Sequence, residues 1–289
     1  MLTRRTLLAA PLLPVAAGAA VPLKAVATFS ILADLVTTIG AGRVAVTALV
    51  APDQDTHAFQ PRPSDAQAIA GADLFVVNGL GLEGWAPRLA TAAGTRRAPV
   101  IASTGIRPLK SAAHGGQDPH AWQNAAHVKL YATNIRDGLI TADPAGADTY
   151  RAAATALLAR LDRLDADIKA ALAPIPRATR RIVTSHDAFG YYAAAYGIDF
   201  LAPQGLDSDA EPSAKELAAL IAQIRREKIR ALFLENITNP KLLEQVARET
   251  GVRIGGTVYS DALSAPTGPA ATYEAMMRHN TTLFAAALK

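Results

Sequence analysis

The 289-residue chain contains no cysteine. Disulfides, thiolate metal sites and cysteine nucleophiles are therefore excluded. So is a lipid attached through a cysteine at a signal cleavage point, and the expectation is an exported protein that is not lipid-anchored. Charge is sparse, with 19% of residues charged and a formal net charge of +4. Two of the positive charges, Arg4 and Arg5, fall in a segment expected to be removed, leaving 27 basic against 25 acidic residues. A near-neutral chain without a clustered basic face does not look like a nucleic-acid binder. G-x-S-x-G, H-E-x-x-H and G-x-x-x-x-G-K-[ST] are all missing, so the sequence offers no serine-hydrolase elbow, helix-borne zinc-protease motif or P-loop. After residue 20 no hydrophobic run approaches the length needed to span a bilayer.

The first 20 residues have the build of a targeting signal. Arg4 and Arg5 form a short basic region, Leu7 to Ala20 is apolar, and Ala17-Gly18-Ala19 supplies small residues for cleavage. Pro11 and Pro14 interrupt the stretch, which argues against a membrane anchor. Thr3 to Leu8 also fits a twin-arginine signal, so the export route stays open.

Beyond Ala20, short apolar runs alternate with helical periodicity, the signature of parallel sheets flanked by helices. Strands are expected at Lys24–Phe29, Val44–Val50, Leu74–Asn78 and Val100–Ser103. A second set is expected at Arg181–Thr184, Ile198–Ala202, Ile229–Leu234 and Val252–Tyr259. Between the sets lies the longest helical pattern, starting at Asp143-Pro144. Its apolar positions are Tyr150, Leu157, Leu158, Leu161, Leu164, Ile168 and Leu172, and Pro174 and Pro176 end it. The expected class is α/β: two βα lobes with parallel four-stranded sheets joined by one long rigid helix. The divisions are a signal peptide at 1–20, an N-terminal lobe at 21–142, the linking helix at 143–173 and a C-terminal lobe at 174–289. Helices opened by proline are expected at Pro212, Pro240 and Pro269.

Ligands of open parallel sheets bind beyond the carboxyl ends of the strands. Four polar residues fall there: His57 after the second strand, His120 in Asp118-Pro119-His120, His186 directly after Arg181–Thr184, and Asp261 after the last strand. Two come from each half. Three imidazoles and one carboxylate suit a tetrahedral zinc site. Separations of 63, 66 and 75 residues mean that only the whole fold can assemble it. A lone histidine at a strand end is more often structural, so the weight rests on the set. Asp55, two residues before His57, is expected either to accept an imidazole N–H or to be a turn or surface carboxylate, with equal weight on each. Glu235 ends an apolar strand run and could, from the residues alone, be a fifth ligand. His114, His127 and His279 lack comparable placement. Gly79-x-Gly81-x-x-Gly84 satisfies a dinucleotide fingerprint but has no acidic residue some 20 positions on, and is expected to be a tight loop.

Several segments together resemble the solute-binding receptors of bacterial zinc and manganese ABC importers, the ZnuA-like or TroA-like group. They are Asp55-Thr56-His57, Asn78-Gly79-Leu80-Gly81-Leu82-Glu83, Asp118-Pro119-His120-Ala121-Trp122, Thr184-Ser185-His186, Glu235-Asn236-Ile237-Thr238-Asn239-Pro240 and Ser260-Asp261. The resemblance implies a metal held by His57, His120, His186 and Asp261 in the interlobe cleft, with Glu235 as a buried carboxylate behind it. It also implies a monomeric, non-enzymatic receptor in the periplasm that serves a membrane permease, with a periplasmic metal chaperone as an optional further partner. Zinc is the first expectation, because manganese members often carry Glu where this chain has His186. Manganese is the alternative, and a zinc hydrolase the more distant one. The long His- and acid-rich loop of many zinc members is reduced here to Ala113-His114-Gly115-Gly116-Gln117.

Overall fold

The structure is a computed structural model and describes residues 21–110, 116–206, 208 and 212–289. The signal segment at 1–20 and His114 lie outside the described residues. In the first lobe, β1 (Leu23–Phe29), α1 (Ser30–Gly40), β2 (Val44–Val50), α2 (Pro63–Ala70), β3 (Leu74–Val77), α3 (Ala86–Ala92) and β4 (Val100–Ile101) alternate in sequence, followed by α4 (Ala125–Ala142). The connecting helix is α5 (Ala147–Leu172). The second lobe holds β5 (Arg181–Val183), α6 (Gly190–Tyr196), β6 (Asp199–Leu201), α7 (Ala214–Glu227), β7 (Ala231–Glu235), α8 (Lys241–Thr250), β8 (Arg253–Val258) and α9 (Tyr273–Leu288).

Both sheets are parallel and share one topology, β2-β1-β3-β4 and β6-β5-β7-β8. β1 is buried along nearly its whole length, as expected of a strand covered on both faces. One cover is α1, whose Ile31, Leu32, Leu35, Val36 and Ile39 form a single apolar face. In each sheet the order in which strands are added reverses between the two central strands, β1/β3 and β5/β7. That reversal opens a crevice at their carboxyl ends.

α5 spans about 39 Å. It buries Tyr150, Ala154, Leu157, Leu161, Leu164, Ile168 and Leu172 along one stripe. Its start differs from the expected Asp143-Pro144. Arg43 and the Tyr150 hydroxyl both bond the Asp143 carboxylate, which also accepts the Gly146 N–H. Pro144–Gly146 is thereby drawn into a 3-10 turn, and α5 begins three residues later. Gly146 is required there, since a Cβ would lie 2.6–2.7 Å from Asp143, Tyr150 and Arg43. The last helix likewise begins at Tyr273 rather than Pro269. Thr272 caps it through the Ala275 N–H, and Asp34 of α1 takes the Tyr273 N–H.

One continuous apolar core runs through both lobes, and a smaller cluster lies between the second sheet and α7 and α8. The lobes are thus fused by packing as well as by α5. Arg180 is buried where α5 and α6 end. Its guanidinium donates to the carbonyls of Leu172, Ile175 and Tyr196 at 2.7–3.0 Å, matching a cation to the negative ends of two helices. Arg180→Met should cost about 2–4 kcal/mol, because three carbonyls lose their donor. A lowered urea midpoint at unchanged m-value would show this, and an unmoved midpoint would refute it.

Candidate metal centre

The four expected residues converge. One ligand atom from each of His57, His120, His186 and Asp261 lies within 4.8 Å of all the others. His57 Nε2 is 3.3 Å from His120 Nε2 and 3.2 Å from Asp261 Oδ2. His186 Nε2 is 3.1 Å from Asp261 Oδ2, and His120 Nε2 is 3.6 Å from Asp261 Oδ1. The edges of a zinc tetrahedron with bonds of 2.0–2.1 Å are about 3.3 Å long. Asp261 Oδ1 is buried without a hydrogen-bond donor, with His120 Nε2 at 3.6 Å, and so keeps an acceptor free at the centre.

Each buried ligand is fixed from behind. His120 follows a loop in which Asp118 Oδ1 accepts both its backbone N–H, at 2.9 Å, and its Nδ1 proton, at 2.8 Å. That loop is held in turn by Asn78, whose amide donates to Pro119 O. Glu83 anchors the Asn78 turn by accepting the backbone N–H groups of Asn78 and Gly79 and the Thr28 hydroxyl. The G-x-G-x-x-G segment is therefore a tight turn, with Gly79, Leu80 and Gly81 all at positive φ. His186 sits at the β5/β7 reversal. Glu235 Oε1 accepts the backbone N–H groups of Ser185 and His186, and Oε2 lies 2.6 Å from His186 Nδ1 in ion-pair contact, off the line of a hydrogen bond. Glu235 thus stands on the far side of the imidazole from Asp261, away from a fifth-ligand position. Asp261 is carried by a loop whose Ser260 carbonyl accepts from Trp122 Nε1 and Gln123 Nε2, both at 2.8 Å. With Nδ1 of His120 and His186 facing carboxylates, each ring directs its Nε2 at the centre, where loss of the Nε2 proton would free a lone pair for a metal.

Burial opposes protonation of His120, but Asp261 and Asp118 outweigh it and hold its pKa at about 9. His186 is likewise raised well above the ordinary imidazole value: burial disfavours its charge, and Glu235 and Asp261 reverse the balance. Burial would raise Asp261, yet His120 and His186 keep it well below the usual carboxylate range. A proton-rich pair of imidazoles around an ionised carboxylate is the charge pattern of a cation site before its cation arrives.

Asp55 accepts the His57 backbone N–H at 2.8 Å rather than an imidazole proton, and its other oxygen accepts from the Ser208 hydroxyl at 2.6 Å. Asp118 was not anticipated, although Asp118-x-His120 repeats the Asp55-x-His57 spacing. His127 packs edge-on against Tyr191, and His279 contacts Thr257 O and the Tyr259 ring; both stay outside the centre.

Residues 25–287 match the family described as "ZnuA: Zinc-uptake complex component A periplasmic". The chain belongs to this family. It is the substrate-binding protein of a metal ABC transporter, not an enzyme. It is 37% identical over 267 residues to the manganese-binding lipoprotein MntA of Halalkalibacterium halodurans, covering 92% of this chain and 88% of the relative. It is 33% identical to the iron-binding protein YfeA of Yersinia pestis (86% and 81%) and 31% identical to the iron ABC transporter substrate-binding lipoprotein MtsA of Streptococcus pyogenes (89% and 86%). The periplasmic zinc-binding protein TroA of Treponema pallidum superposes with a TM-score of 0.88 at 29% identity, covering 92% of this chain and 99% of that one. A manganese-bound periplasmic protein of Candidatus Liberibacter asiaticus gives 0.84 at 30%, covering 92% and 100%.

These names correct one expectation, that of an exported protein without a lipid anchor: MntA and MtsA are lipoproteins. The ground for that expectation was too narrow. Lack of cysteine speaks to one covalent linkage only and leaves other means of attachment untouched. Among the described residues no helix is long and apolar enough to cross a membrane.

Proposed function

We propose that His57, His120, His186 and Asp261 together bind one divalent transition-metal ion, with zinc preferred, and that the loaded protein delivers it to the membrane permease of its importer. The observation that carries this is the meeting of four ligand atoms from both lobes within 4.8 Å. The same reading divides the chain into lobes at 21–142 and 174–289, with residues 143–173 between them. Three imidazoles and a single carboxylate favour zinc over the harder manganese ion. Four protein ligands close the shell, unlike a catalytic site with a position left for water.

Manganese is the second reading. The relative at 37% identity is named for it, and both Asp261 oxygens face the imidazoles, which would allow a fifth bond. Zinc exceeds manganese in affinity at most nitrogen–oxygen sites, so a titration alone does not separate the two. The test is metal analysis of protein isolated from its native cells, joined to X-ray absorption of the loaded form. One equivalent of four-coordinate zinc is expected. Stoichiometric manganese would select the second reading, and failure to retain either ion would refute the site.

A further inference from the structure

The four ligands are not equally secured. His120, His186 and Asp261 have side chains 0% exposed, whereas the His57 side chain is 8% exposed. Carboxylates stand behind His120 and His186, and Trp122 and Gln123 hold the Asp261 loop. Among the described residues no carboxylate backs the His57 ring outside the centre itself. What holds His57 is its loop, and that loop is tied to the other lobe at two points, an exposed one at Asp53 and a part-buried one at Asp55. Asp53 Oδ1 accepts from Asn236 Nδ2 at 3.0 Å and Oδ2 accepts the Ala265 N–H at 3.0 Å, while the Asp53 N–H donates to Leu263 O at 2.9 Å. Asp55 takes the Ser208 hydroxyl at 2.6 Å. Beside the loop lies a cavity of about 660 Å³ lined by His57, Phe59, Gln60 and Pro61 together with Trp85 and Arg88. The loop is therefore fastened by a few polar bonds, those of Asp53 exposed and that of Asp55 part-buried, and has free volume on its other side.

Resting on the metal-receptor reading above, we propose that His57 is the gating ligand. The segment from Ala51 to Pro61, latched by Asp53 and Asp55, swings aside to admit and release the ion, while His120, His186 and Asp261 keep their places. The continuous core through both lobes makes detachment of one loop less costly than parting the lobes, because many buried apolar contacts outweigh a few hydrogen bonds. Asp53 and Asp55 are positioning residues in this scheme and touch no metal.

The experiment loads the full chain with one equivalent of zinc and mixes it in a stopped-flow instrument with excess of a chromogenic chelator. Asp53→Gly removes the carboxylate without straining the backbone, since Asp53 has φ 57 and glycine adopts that region freely. Asp53→Gly and Ser208→Ala should each speed release by about five- to tenfold, the equivalent of one or two hydrogen bonds. Zinc association should accelerate as well, because the gate lies on both paths, so Kd should change less than either rate. Asn236→Ala combined with Asp53→Gly should release little faster than Asp53→Gly alone, as expected of partners in one latch. Arg160→Met, which breaks the remote Arg160–Glu274 pair, should leave release unchanged. If Asp53→Gly and Ser208→Ala bind one zinc yet release it within twofold of the parent rate, the gate is refuted and the site stands. If Arg160→Met accelerates release as much, general loosening replaces the gate. A parent protein that binds no zinc refutes both readings.

Discussion

Replacing His120 with alanine is expected to weaken zinc binding by about a hundred- to a thousandfold, the share of one ligand in the roughly 10–16 kcal/mol of a four-ligand zinc site. His120 is wholly buried, and its Nδ1 faces Asp118, so its imidazole is held with Nε2 toward the centre. Alanine leaves Asp118 without its imidazole partner but keeps the backbone bond from residue 120, so the loop should hold its course. Asp261→Ala should fall by a similar factor and expose no hydrolytic activity, because it strips the only carboxylate from the centre. Competition against a chelator of known affinity measures both. If His120→Ala binds zinc within tenfold of the parent, His120 is not a ligand and the tetrahedral arrangement is wrong.

The strands and helices were legible because parallel strands covered on both faces read as short apolar runs. β2 matches its expected bounds, Val44–Val50, residue for residue. Other strands end one or two residues from their expected bounds, and the larger errors sit at helix starts, where a distant partner decides. Arg43, 100 residues away, captures Asp143, and Asp34, 239 residues away, takes the N–H of Tyr273; no local pattern encodes either. In the centre, the four converging residues were visible as polar groups following strands. Their supports were less so. Glu235 stood out because a carboxylate ending an apolar run needs a partner. Asp118 sits beside a proline in a loop and resembles any turn residue until His120 is folded over it. The interlobe bonds of Asp53 and of Trp122 join residues more than 130 positions apart, and they arise only from how the lobes meet.

Removing the metal should lower the melting temperature by about 10 °C, since free zinc at a thousand times Kd stabilises a fold by about 4.1 kcal/mol and each kcal/mol moves a large domain by about 2–4 °C. The size of that gap should depend on pH. In the metal-free protein His120 titrates at about 9 and His186 well above the ordinary value, whereas in the unfolded chain both titrate near 6.5. A raised folded pKa stabilises the fold fully below about 6.5 and loses that contribution as pH climbs through about 9. The metal-free protein should therefore lose stability across this window, while the loaded protein, whose imidazole lone pairs are occupied by metal, keeps its own. Loading at pH 7 should expel protons from both imidazoles, visible as a buffer-dependent binding enthalpy. The gap in melting temperature, measured at fixed free zinc, should widen from pH 6.5 to pH 9. A gap that stays constant, with an enthalpy independent of buffer, would mean that the metal-free centre holds no protons for the ion to displace.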